Sequence, residues 1–164
     1  RGRREVQFLI EAIPLVLNRV SRRREKAVQD QILSLAGTLG VVRGAPVVVA
    51  LLSVLYEPVA GGMSIGRRLI KPATGFTAED AYNAVSDLRH IELAAASQAV
   101  FRDHSFALCT NDQGIALFWS ALKVRGEAKD DGTLCIRYSL GQDMLPRLTL
   151  DEISDVMCAI SSPA

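Results

Sequence analysis

Asp80, Asn83, Asp87 and His90 recur at spacings of three, four and three residues, interleaved with the apolar Ala81, Val85, Leu88 and Ala95. At about 100° per residue on a helix, the four polar groups fall within about 80° of one another and the apolar ones take another face. A stripe of this kind is either a solvated surface or one wall of a site. Asp112 is the carboxylate placed to face it, because it follows the apolar run Ser105-Phe106-Ala107-Leu108-Cys109 and precedes Ile115, Leu117, Phe118, Trp119 and Leu122. If that run is a strand and the later residues a helix, Asp112 stands at the carboxyl edge of an open sheet, where ligands collect. Capping by Asn111 or Thr110, with Asp112 complementing the helix dipole, accounts for the same residues structurally. Carboxylates that converge from two elements form a hard-oxygen cage suited to Mg²⁺ or Mn²⁺. Such ions activate water and stabilise in-line displacement at a phosphodiester.

The elements that must hold these groups are legible as periodicities. Residues 5–39 carry apolar side chains at three and four spacing, with Pro14 and the Arg22-Arg23-Arg24 cluster dividing them into a helical pair. Residues 46–56 are apolar throughout; three valines suggest a strand, while Pro46 and the length suggest a buried helix, and periodicity does not decide between them. Pro58 ends the element. Thr77-Ala78-Glu79-Asp80 has the form of a helix start, and the helix should run to about residue 100. Residues 133–138 suggest another strand, and Thr149-Leu150-Asp151-Glu152 is a capping box for a last helix to about residue 160. Helices alternating with short apolar strands predict an α/β domain with a mainly parallel sheet.

The stretch Asp87-Leu88-Arg89-His90-Ile91, the continuation Ala94-Ala95-Ala96, and Phe106-Ala107-Leu108-Cys109-Thr110-Asn111-Asp112 resemble the C-terminal half of a PIN domain, over residues 77–122. The resemblance implies a parallel sheet sandwiched by helices and a metal-dependent ribonuclease, often the toxin of a bacterial toxin/antitoxin pair. It implies Asp87 and Asp112 as metal ligands, Thr110 as a group that orients the site, and His90 as a contact to RNA or to a ligated water; Asn83 shares their stripe. The family opens with a strand ending in Asp, whereas the first Asp here is Asp30, inside a helical pattern. The expected domain therefore covers residues 1–164 and lacks a strand upstream of Arg1. The family's second acid is sought at Glu57, Glu79 or Asp80, and Glu92 competes with Asp87 as the helix acid. The function expected on these grounds is a Mg²⁺- or Mn²⁺-dependent RNA endonuclease. A noncatalytic PIN-like module that binds protein or RNA is the alternative.

Charge and composition bound the partners. The chain has 164 residues with 19 basic and 18 acidic side chains, so the bulk charge attracts no polyanion. The total hides a gradient: residues 1–26 hold eight basic and three acidic groups, and residues 127–156 hold three basic and seven acidic ones. Arg22, Arg23 and Arg24, and Arg67 and Arg68 with Lys71, are the candidates for an RNA backbone. The longest uncharged apolar run has 13 residues, too short for a bilayer helix, so no membrane association is expected. Cys109, Cys135 and Cys158 are odd in number and far apart, which fits a reducing cytoplasm better than a disulfide framework or a zinc site. Gly61-Gly62-Met63-Ser64-Ile65-Gly66 is followed by two arginines where a P-loop needs Lys and then Ser or Thr. Phe118 and Trp119 read as core, Cys109 as buried packing and His104 as surface. Apolar faces within residues 5–20 and 46–56 are candidates for a homodimer interface.

Overall fold

The computed structural model describes residues 2–59, 62–101, 104, 108–129 and 131–161. Among them are seven helices: α1 (Gly2–Val16), α2 (Arg22–Thr38), α3 (Pro46–Leu55), α4 (Ile65–Ile70), α5 (Ala78–Val100), α6 (Gln113–Leu122) and α7 (Leu150–Ser161). Two short strands, β1 (Arg125–Ala128) and β2 (Leu134–Arg137), pair antiparallel with Arg125 opposite Arg137. The parallel sheet sandwiched by helices is thus overturned: the only sheet among the described residues is this two-stranded hairpin.

The centre of the molecule is α3, every residue of which is buried. A helix that is apolar all round must be enclosed, and α3 packs against α1, α2, α4 and α5. This settles residues 46–56 as helix. Pro46 occupies the first turn, where its missing N–H costs nothing, and the helix ends before Pro58. Of the apolar faces of residues 5–20 and 46–56, the candidates for a homodimer interface, Phe8, Leu9, Ala12, Ile13 and Val16 pack in the same core as α3, while Val6 and Ile10 are only partly buried.

Local signals placed the other helices. α1 and α2 form the expected pair, although Pro14 lies in the last turn of α1 and does not divide it. The Thr77 hydroxyl accepts the Asp80 N–H at 3.2 Å and the Asp80 carboxylate accepts the Thr77 N–H at 2.8 Å, a complete capping box that starts α5. Glu152 accepts the Thr149 N–H at 2.8 Å and closes the same motif at α7. The strand expected at residues 105–109 falls largely outside the described residues, and Leu108 and Cys109 have irregular backbone. The strand expected at 133–138 exists as β2, but its partner β1, unanticipated, is a neighbour in sequence rather than a strand across a crossover. Gly126 lets the hairpin lie on α5, since a Cβ there would overlap the Ala95 carbonyl oxygen.

Close packing at a second glycine sets the position of α4. A Cβ on Gly66 would overlap the Ala50 carbonyl oxygen of α3, and the Gly66 N–H donates to the buried Ser53 hydroxyl at 3.1 Å. α4 is therefore pinned to α3 at its N-terminal end. Its other end delivers Lys71, in the left-handed conformation at φ 53°, toward α6. No helix among the described residues is long and apolar enough to cross a membrane.

Candidate functional site

Four of the residues singled out by sequence, Asp87, His90, Thr110 and Asp112, line one open cleft of about 610 Å³ between α5 and the start of α6. Leu93, Ala94, Leu108 and Ile115 supply apolar walls, and Ser97 and Cys109 complete the lining. Asp87 and His90 come from one face of α5, one turn apart, as the helical spacing requires. Thr110 and Asp112 come from the turn that starts α6.

Asp112 is held firmly. It is itself the N-cap of α6, in place of the Asn111 or Thr110 cap weighed above. One of its oxygens, Oδ1, accepts the N–H groups of Gly114 at 2.6 Å and Ile115 at 3.1 Å, and its own N–H donates to the Thr110 hydroxyl at 3.0 Å. The other oxygen, Oδ2, takes the Lys71 ammonium at 3.1 Å. α6 sits close enough to α4 that a Cβ on Gly114 would come within 2.9 Å of the Arg68 carbonyl oxygen. Burial pushes the Asp112 carboxyl up, but the Lys71 ammonium and the two amides outweigh it and hold the group below the ordinary carboxylate range.

Asp87 is the opposite case. It is partly buried and, among the described residues, makes no hydrogen bond or ion pair. Burial, and then the charge of Asp112, raise its pKa; His90 and Lys71 offset this only in part. The cleft thus presents one satisfied carboxylate and one that is desolvated and unmatched.

The remaining predicted site residues lie elsewhere. Asp80 is engaged in its capping box, which lowers its pKa through the Thr77 amide, and Glu79 and Asn83 are exposed on the first turns of α5. Glu57 forms a two-pronged pair with Arg67, at 2.6 and 3.2 Å. Glu92 lies on the face of α5 toward Glu5 and Pro46. Of the proposed RNA contacts, Arg67 is committed to Glu57 and to the Val16 carbonyl, and Arg22 to Glu25 and Glu152. Arg23, Arg24 and Arg68 are exposed but stand on two separate elements. The two charged regions of the chain meet through pairs of both senses: Arg22 pairs with Glu152 of α7, and Glu25 of α2, with a side chain 3% exposed, pairs with Arg147.

Sequence reasoning missed three members of the cleft environment. Lys71 was noted only as part of a basic cluster, and nothing local marks it as the partner of Asp112, 41 residues away. Cys109 is exposed in the cleft rather than buried in a strand. Leu93 is 65% exposed at the cleft rim, with Val100 and Phe101 exposed further along α5.

A resident Mg²⁺ or Mn²⁺ requires open oxygen donors. Three of the four lone-pair sites of Asp112 are already taken, so among the described lining residues Asp87 alone keeps both carboxylate oxygens open and Asp112 keeps a single site on Oδ2. Groups of three or more His, Cys, Asp or Glu arranged to hold a metal ion are lacking among the described residues. Among the described residues the donor set is thinner than the ion of the nuclease expectation needs. No protein-family model, curated protein or solved structure matches the chain.

Proposed function

We propose that the protein is a binding module whose cleft between α5 and α6 takes an apolar segment of a partner protein ending in a cationic side chain. The observation that carries this reading is the cleft itself, in which Asp87 stands partly buried beside apolar walls and makes no hydrogen bond or ion pair among the described residues. A cationic ligand side chain would give this carboxylate the ion pair it lacks. Its surroundings suit a Lys or Arg stem: Leu93, Ala94, Leu108 and Ile115 offer apolar contact, and long basic side chains bury their methylenes while placing the charge at the tip. Asp112, fixed by its cap and by Lys71, gives the cleft a rigid wall.

Exposed apolar side chains of α5 extend the cleft. From Asp87 through Leu93 and Ser97 to Val100 the helix advances 13 residues, about 20 Å, with Leu93 and Val100 more than half exposed. A partner helix with apolar residues at three and four spacing and a basic residue at one end matches this stripe.

Titration of the ¹⁵N-labelled chain with a synthetic helical peptide bearing a Leu stripe and a terminal Arg tests the proposal. Saturable shifts at Asp87, His90, Leu93 and Ser97 are expected. Affinity should weaken about fivefold in Asp87→Asn, the worth of a partly screened charge pair at ~1 kcal/mol. Equal binding by Asp87→Asn, or equal binding of a peptide ending in Glu, overturns it.

A further inference from the structure

We infer that a second, oppositely charged docking groove lies between α1 and the first half of α5, and that its occupant is an acidic amphipathic helix of a partner protein. Val6 and Ile10 of α1 and Ala78, Tyr82 and Val85 of α5 line an open groove of about 820 Å³. Val6 and Ile10 are one turn apart, as are Ala78, Tyr82 and Ser86, so both walls present regular helical ridges along one channel. From Ala78 to Arg89 the groove runs about 16 Å, or three turns of a bound helix. Tyr82 is 63% exposed in the wall of this open channel, which suits a polypeptide segment better than an enclosed small molecule.

The charge lining this groove is basic. Among its described lining residues the charged ones are Arg3 and Arg89, which stand together at one end, since α1 and α5 bring Gly2 beside the Arg89 guanidinium. Arg89 lies 3.5 Å from Glu5 and keeps 48% of its side chain exposed, whereas Arg3 makes no ion pair among the described residues. Gln7 and Ser86 add polar groups beside them. A helix with Leu or Ile at three and four spacing and Glu or Asp at the end that meets Arg3 fits this arrangement. Arg suits that role because its planar donors pair with a carboxylate in two-pronged fashion. α5 thereby serves two surfaces of opposite preference, and binding at one is independent of the assignment of the other.

The test uses the full chain, ¹⁵N-labelled, and a synthetic helical peptide with a Leu stripe and two Glu residues at one end. Saturable shifts confined to Val6, Gln7, Ile10, Tyr82 and Ser86 are expected, with about fivefold weaker binding in Arg3→Glu and further loss in Tyr82→Ala. Both residues are exposed and neither holds the core, so the variants should fold; unchanged melting would confirm that. No saturable shift at millimolar peptide overturns the inference, as does equal affinity for the Lys-for-Glu peptide or for Arg3→Glu. Sedimentation that shows the chain dimerising through these same residues also overturns it, because a second copy would then be the occupant.

Discussion

Replacing Asp87 by Asn should stabilise the protein at neutral pH, and the gain should disappear in acid. The native carboxylate is desolvated and repelled by Asp112, with partial relief from His90 and Lys71, and the substitution breaks no hydrogen bond or ion pair among the described residues. Asp and Asn have nearly equal helix propensities, so the exchange isolates the charge. Because the folded pKa is raised, the folded chain holds the proton more tightly than the unfolded one. Stability therefore falls as pH rises from the unfolded value through the folded value, and the whole penalty is present above both. Removing it should give ~0.5–1 kcal/mol, the scale of a single stabilising change. For a chain of this length that is about 1–4 °C in Tm. Thermal and urea unfolding of both proteins at neutral pH and at about pH 3, where most of the carboxylate is protonated in either state, measures it. A variant no more stable than the parent at neutral pH, or one whose advantage persists in acid, would refute the idea that Asp87 is an unmatched charge.

Other outcomes follow from the same structure. Asp112→Ala should cost ~1–2 kcal/mol by urea unfolding, since it removes a helix cap and a half-exposed ion pair, while Asp112→Asn keeps the cap and should cost less. The Asp112 contribution is present at neutral pH and should be lost as pH falls through its lowered folded pKa, the reverse of Asp87. Glu25→Gln leaves Arg147, itself 9% exposed, buried without its counter-charge and should cost ~3–5 kcal/mol; Arg23→Ala, on the exposed face of α2, should stay within ~0.5 kcal/mol. Millimolar Mn²⁺ should leave the melting midpoint within about 1 °C, as expected without an assembled site. A rise of several degrees that Asp87→Asn abolishes would instead establish a divalent-ion site.

The sequence by itself determined the features whose causes are local. The caps at Thr77 and Thr149 are read from side chains within three residues of the amides they satisfy, and the helical pair before residue 39 from its own periodicity. The convergence of Asp87 and His90 on one helix face follows from the 3.6-residue turn. Thr110 and Asp112 reached the same cleft for a reason other than the one that led to them: Asp112 stands there as an N-cap, not at the edge of a parallel sheet. Tertiary structure decided the rest. Residues 46–56 left strand and buried helix open by composition and length, and enclosure by α1, α2, α4 and α5 makes a helix that is apolar all round the better solution. Whether Arg22, Arg67 and Glu57 are free for a ligand depends on partners distant in the chain or across a turn, and each is bound internally. The same holds for the two carboxylates of the cleft. One lies within reach of Lys71, carried there by a helix pinned through Gly66, and the other does not, so one is neutralised by the fold and the other is left charged and unmatched.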